Sequence, residues 1–269
     1  MLIIGCRTGE QILSEMVTYC VRRQGSRKTW IMYACNLSYE QLVGYLSMTE
    51  EGNYLDLNEE GFYIPTGKGE LLHRSNALIF RLSITGRERD PYNSSKLRKK
   101  VKAVVSSLKS VKIPRSGRMH ILKRKRRVRH DIIGGILNNC IPGRAKTQVM
   151  YQNNLSFAQV NKYLDDLKKT NLLEVGKAEL QKKERKIYIT TDKGRLFVET
   201  YKLQSRLLIT GGDEDPFTDP ELTEKIETAL SPMLSFEIPE DAYAIPFEEL
   251  EEELSRQNRD ELLDLLKSL

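Results

Sequence analysis

Apolar positions in the second half of the chain recur with a helical period. Ile132, Ile133, Ile136, Leu137 and Cys140 fall at i, i+1, i+4, i+5 and i+8, which is one stripe of a first helix. Ile141-Pro142-Gly143 ends it. A short second helix is expected over about Ala145–Gln152, followed by a tight turn at Asn153-Asn154-Leu155. Ser156 predicts the N-cap of a third helix, because its hydroxyl accepts a free backbone N–H. In that helix Val160, Tyr163, Leu164 and Leu167 point inward, and Gln159, Asn161, Lys162 and Asp165 occupy the open face. Leu172-Leu173-Glu174-Val175 predicts a strand, Gly176–Arg185 a polar, lysine-rich loop, and Lys186-Ile187-Tyr188-Ile189-Thr190 a returning strand. Thr191-Asp192-Lys193-Gly194 then opens a fourth helix, with Leu196, Phe197, Thr200, Leu203 and Leu207 inward.

The same pattern occurs once before. Ile12, Leu13, Met16, Val17 and Cys20 repeat the first stripe. Met32-Tyr33-x-x-Asn36-Leu37-Ser38-Tyr39-x-Gln41-x-x-x-Tyr45-Leu46 matches Met150-Tyr151-x-x-Asn154-Leu155-Ser156-Phe157-x-Gln159-x-x-x-Tyr163-Leu164. Tyr63-Ile64-x-Thr66-x-Lys68-Gly69-x-Leu71 matches Tyr188-Ile189-x-Thr191-x-Lys193-Gly194-x-Leu196. Ile84-Thr85-Gly86-x-x-x-Asp90-Pro91-Tyr92 matches Ile209-Thr210-Gly211-x-x-x-Asp215-Pro216-Phe217, and the match runs on to Ile113-Pro114 and Ile238-Pro239. The offset changes only in two connections. Loops absorb insertions and packed elements do not, so this is a tandem duplication.

Helix, helix, turn, helix and a two-stranded wing is the winged helix-turn-helix order. The expected fold class is therefore mainly α with small β wings (α+β): two tandem winged helix-turn-helix domains with helical extensions. The expected division is a first domain over 1–85, a basic helical extension and linker over 86–128, a second domain over 129–212 and an acidic helical tail over 213–269. The extensions are expected as helices over Ser94–Val111 and Asp219–Phe236. Phe247–Leu269 predicts a further acidic amphipathic helix. Homologous units also suggest an intramolecular pseudo-dimer through helices 66–82 and 191–207, with a homo-oligomer left open.

The residues Lys146-Thr147-x-x-Met150-Tyr151, Asn154-Leu155-Ser156-Phe157, Tyr163-Leu164 and Thr191-x-Lys193-Gly194 resemble a family of archaeal winged helix-turn-helix DNA-binding proteins. The resemblance covers about 129–207 well and 9–82 less well. It implies DNA binding in transcription regulation or chromatin organisation, and some members dimerise through the last helix. These motif residues are mainly core and turn residues, so they specify fold more than function.

Charge changes the picture. Residues 1–130 hold 25 Lys/Arg against 11 Asp/Glu, and residues 213–269 hold 4 against 18. Such blocks point to a polyanion partner at one end and a cationic partner, or self-masking, at the other. Six cations stand in the seven residues Lys123, Arg124, Lys125, Arg126, Arg127, Val128 and Arg129, where mutual repulsion does nothing for folding. They are expected to contact phosphates, with pairing to the acidic tail as the alternative. Gln159, Asn161 and Lys162 suit a major groove, with a solvated face as the alternative. Lys182, Lys183, Arg185 and Lys186 in the wing suit phosphates, with a solvated hairpin as the alternative. The first copy departs from this chemistry: its third helix, Ser38 to Thr49, carries no Lys or Arg, and its wing is short and acidic at Asp56, Glu59 and Glu60.

The expected partner is double-stranded DNA, with a protein partner for the acidic tail as a further option. A scaffold in which the winged helices and tail bind protein partners is the competing reading. The aromatic pairs Tyr33/Tyr151, Tyr39/Phe157 and Tyr45/Tyr163 are expected in the core. Cys20 and Cys140 are expected as buried thiols, and no cysteine–histidine spacing suits a metal. No Ser/His/Asp or Cys/His set is visible, so neither catalysis nor a cofactor is expected. No apolar run approaches the roughly 18–20 residues that span a bilayer, and the start lacks a signal-peptide stretch. A cytoplasmic, nucleoid-associated location is the expectation.

Overall fold

The computed structural model describes residues 7–86, 90–113, 127, 129–180 and 183–236. The first copy contains α1 (Gly9–Arg23), β1 (Ser26–Arg27), α2 (Lys28–Ala34), α3 (Tyr39–Glu51), β2 (Leu55–Leu57), β3 (Phe62–Pro65) and α4 (Gly67–Ile84), with α5 (Ser95–Ser110) as its extension. The second contains α6 (Arg129–Asn139), β4 (Arg144–Ala145), α7 (Lys146–Gln152), α8 (Phe157–Lys169), β5 (Leu173–Leu180), β6 (Lys183–Thr190) and α9 (Asp192–Ile209), with α10 (Pro220–Leu234) as its extension. This is the α+β winged-helix order expected from the pattern. The helix expected over Phe247–Leu269 lies outside the described residues.

Two details differ from the sequence reading. The sheets have three strands, in the orders β1-β3-β2 and β4-β6-β5: a two-residue strand before the second helix of each copy pairs with the returning strand, as in Ser26↔Tyr63 and Arg144↔Tyr188. The segment expected as a loop over Gly176–Arg185 is largely paired. Gly176 faces Ile187, Lys177 faces Lys186, Ala178 faces Arg185, and the ladder continues to Leu180↔Lys183. Polar composition hid this because a two-stranded arm buries little on either face, so it lacks the apolar alternation of a sheet packed on a core.

The chain divides into two compact units, and neither coincides with one repeat. One gathers Met1–Asn76, Val111–Lys125 and Lys202–Thr228; the other gathers Ala77–Ser110, Arg126–Tyr201 and Ala229–Leu269. Each winged helix is thus completed by a segment that the other repeat supplies.

In the first unit Leu13, Met16, Val17 and Cys20 of α1 are fully buried with Ile31, Leu42 and Leu55. The Lys68 ammonium, 1% exposed, donates to Gly52 O at 2.7 Å, Thr210 O at 2.6 Å and Asp215 Oδ2 at 2.5 Å. The Tyr54 hydroxyl donates to Leu207 O at 2.8 Å. In the second unit Ile136, Leu137, Cys140, Val149, Val160, Leu196 and Phe197 form the equivalent core. There Lys193 Nζ lies within 2.8 Å of Thr85 O, Thr85 Oγ1, Asp90 Oδ2 and Thr170 O.

This explains two motifs that the repeat exposed. In Thr-x-Lys-Gly, the Thr66 and Thr191 hydroxyls accept from the Gly69 and Gly194 N–H at 3.1 and 3.0 Å and so start α4 and α9. A Cβ at Gly69 would stand 2.3 Å from Tyr54 O, and one at Gly194 2.3 Å from Leu172 O. The lysine between them receives the Asp-Pro-aromatic motif of the other repeat. A buried ammonium is tolerable only when fully hydrogen-bonded and paired, and both lysines meet that condition.

Candidate nucleic-acid interface

The helix-turn-helix of each unit is fixed by three residues, Asn-Leu-Ser. Asn36 and Asn154 take the left-handed conformation (φ 48° and 50°), which asparagine tolerates better than most side chains. Leu37 and Leu155 then enter the core, each 8% exposed. Ser38 and Ser156 cap α3 and α8, accepting from Gln41 N at 3.3 Å and Gln159 N at 3.2 Å, while the Gln41 and Gln159 amide oxygens accept from the serine N–H groups. These are reciprocal capping boxes.

Gln159, expected at a base edge, therefore has its Oε1 engaged at 2.9 Å in starting the helix. Lys162 is exposed and Asn161 half-buried beside it on α8. The acidic residues on the same helix are paired: Asp165 with Lys168 at 2.6 Å, which holds its carboxyl below the usual range, and Asp166 with Arg129 at 3.4 Å. Arg127 donates to Asn153 O at 2.8 Å and to Asn154 O at 3.4 Å, bracing the turn. Arg185 and Lys186 are exposed on β6. Lys183 stands in β6 opposite Leu180. Lys123, Arg124, Lys125, Arg126 and Lys182 lie outside the described residues.

The aromatic expectation is corrected for two of its three pairs, whereas Tyr45 and Tyr163 are half-buried. Tyr33 and Tyr151 are each 77% exposed, Tyr39 61% and Phe157 65%. The leucine of each turn occupies the core slot, and the first residue after each capping serine projects into solvent. The inward stripe begins only at Leu42 and Val160. Lys146, at the start of α7, places its ammonium 4.0 Å from the Phe157 ring centroid. The sequence pattern assigns Phe157 to the core and Lys146 to the family motif alone, although the position directly after a capping serine signals an exposed side chain.

A further cationic surface comes from the other repeat. In the second unit α5 buries Leu97, Val101, Val104 and Val105 and exposes Lys96, Arg98, Lys99, Lys100, Lys102 and Lys109. Its Lys102 reaches Asp192 at the start of α9, at 3.5 Å. The homologous α10 carries Glu221, Glu224 and Glu227 with Lys225 as its one cation.

Cys20, Cys35 and Cys140 are buried free thiols. Burial pushes Cys20 and Cys140 up to about 12. Among the described residues no group of His, Cys, Asp and Glu is placed to hold a metal ion, and no helix is long and apolar enough to cross a membrane.

A family model described as winged helix-turn-helix matches the chain twice, over residues 6–83 and 126–208. No curated protein and no solved structure matches the chain.

Proposed function

The chain belongs to the winged helix-turn-helix family, in two tandem copies, and on that premise we propose that it binds double-stranded DNA in transcription regulation or chromatin organisation. The family points to DNA binding. The observation that carries the reading for this chain is the composition of the second unit, where the winged helix with Lys162 on α8 and Arg185 and Lys186 on its wing folds together with α5 and its six exposed cations. Asn161 and Lys162 are the groove-facing candidates, and the wing and α5 supply phosphate contacts. Lys123–Arg127 and Arg129 extend the cationic chain entering α6. Neutralised phosphates release counterions, so affinity for duplex DNA should fall steeply between roughly 50 and 200 mM salt. Titration of a labelled duplex with the full chain across that range tests the proposal. Weak binding that ignores salt would refute it.

A further inference from the structure

The two helix-turn-helix faces share one backbone and differ in chemistry. Where the second copy has Gln148, Asn161, Lys162, Lys168 and Lys169, the first has Trp30, Val43, Gly44, Glu50 and Glu51. The substitutions are exposed: Trp30 is 51% accessible and Val43 49%, beside Tyr33 and Tyr39, with Leu57 at 54% on the wing. Trp30 meets Phe62 of β3 edge-to-face at 6.4 Å, linking α2 to the wing. Helix α3 carries Glu40, Glu50 and Glu51 and no cation, and Glu59 and Glu60 occupy the wing turn. A surface facing phosphates would meet carboxylates here, and like charge disfavours that encounter. Arg27, its guanidinium 5.0 Å from the Phe62 ring centroid, and Lys28 are exposed at the start of α2, so the carboxylates line the α3 and wing-turn side of the patch and not its whole rim. Exposed aromatic and aliphatic side chains bordered on that side by carboxylates suit a protein partner that sets cations against α3 and the wing turn.

We propose that this face of the first winged helix docks a protein segment presenting apolar side chains flanked by lysine or arginine. The apolar residues Trp30, Tyr33, Tyr39 and Val43 supply the contact, and the carboxylates of α3 and the wing set polarity and orientation. The chain's own acidic tail is a poor occupant, because it carries the same sign of charge. The proposal is independent of the DNA reading, which rests on the second copy.

Trp30 is the only tryptophan, so its emission reports occupancy of this face directly. The full chain is titrated with a synthetic helical peptide of leucine and lysine, with its leucine–glutamate counterpart, and with duplex DNA. The lysine peptide is expected to shift Trp30 emission saturably. Val43→Asn with Gly44→Lys, which installs the second copy's residues at exposed positions, should weaken that binding about tenfold or more. A Cβ at Gly44 meets nothing within 4 Å, so the variant should fold, as circular dichroism would show. Four results would overturn the proposal: an emission shift with DNA and not the peptide, peptide binding that leaves Trp30 silent, equal binding of the glutamate peptide, or unaltered affinity in the folded variant.

Discussion

Lys193 at the start of α9 donates to Asp90 at 2.8 Å, and the carboxylate comes from the opposite repeat to the lysine. Both side chains are essentially out of solvent, at 3% and 0%. Burial pulls the lysine down to about 8 and the aspartate pushes it back up, so the desolvation of the ammonium outweighs the pairing. Loss of either side chain would leave the other charge buried without its counter-ion.

Removing one partner should therefore be costly. Asp90→Asn or Lys193→Met should each destabilise the protein by about 3–5 kcal/mol, whereas Lys193→Met combined with Asp90→Leu should recover part of the loss. Chemical denaturation of the three variants measures this. A single substitution without effect would show that the pair does not hold the exchanged segment.

Two glycines on helices should respond in opposite directions. Gly194→Ala forces a Cβ against Leu172 O and should cost more than about 1 kcal/mol. Gly44→Ala enters open space within α3 and should stabilise by up to roughly 1 kcal/mol. Thermal melts of the two variants give the comparison.

His73 should make the protein acid-sensitive. Burial and the nearby Arg22 and Arg74 cations lower it to about 4. Between that value and the ordinary value of about 6.5, the unfolded chain binds a proton that the folded chain does not. The sign follows: stability falls as pH drops through this window and is unaffected by this group above it. His73→Gln should flatten the pH dependence of the denaturation midpoint between those limits. An unchanged profile would contradict the assignment.

The thiols of Cys20 and Cys140, pushed up to about 12, should be almost wholly protonated at mild alkaline pH. A thiol reagent should therefore label them only on unfolding. Mass-mapped labelling of native and denatured protein distinguishes the cases, and rapid native labelling at either site would contradict the burial.

The sequence made the local structure legible where one residue has one physical role. The stripes Ile12–Cys20 and Ile132–Cys140, the capping serines and the Thr-x-Lys-Gly helix starts all stand where the pattern puts them. What the pattern does not encode is which repeat a motif serves. The Thr-Gly…Asp-Pro segments follow their own winged helix in the chain, yet Asp90 reaches Lys193 and Asp215 reaches Lys68, a pairing that depends on chain path and not on spacing. The exposed aromatics escape the pattern for a related reason. Tyr33 and Tyr39 straddle a turn, so a helical count across them does not describe one face. Of the interface candidates, Lys162, Arg185 and Lys186 stand exposed as their composition suggested, while Gln159 and Arg127 also serve the cap and the turn.

The most direct test of the central claim is the salt dependence of duplex-DNA affinity in a variant carrying Lys162→Ala, Arg185→Ala and Lys186→Ala, compared with the parent chain. If the second winged helix neutralises phosphates with these side chains, affinity should drop and the slope of log K against log salt should become shallower, by about 0.9 for each phosphate that is no longer neutralised. A folded triple variant with the parent's affinity and slope would contradict the claim that this unit is the DNA-binding surface.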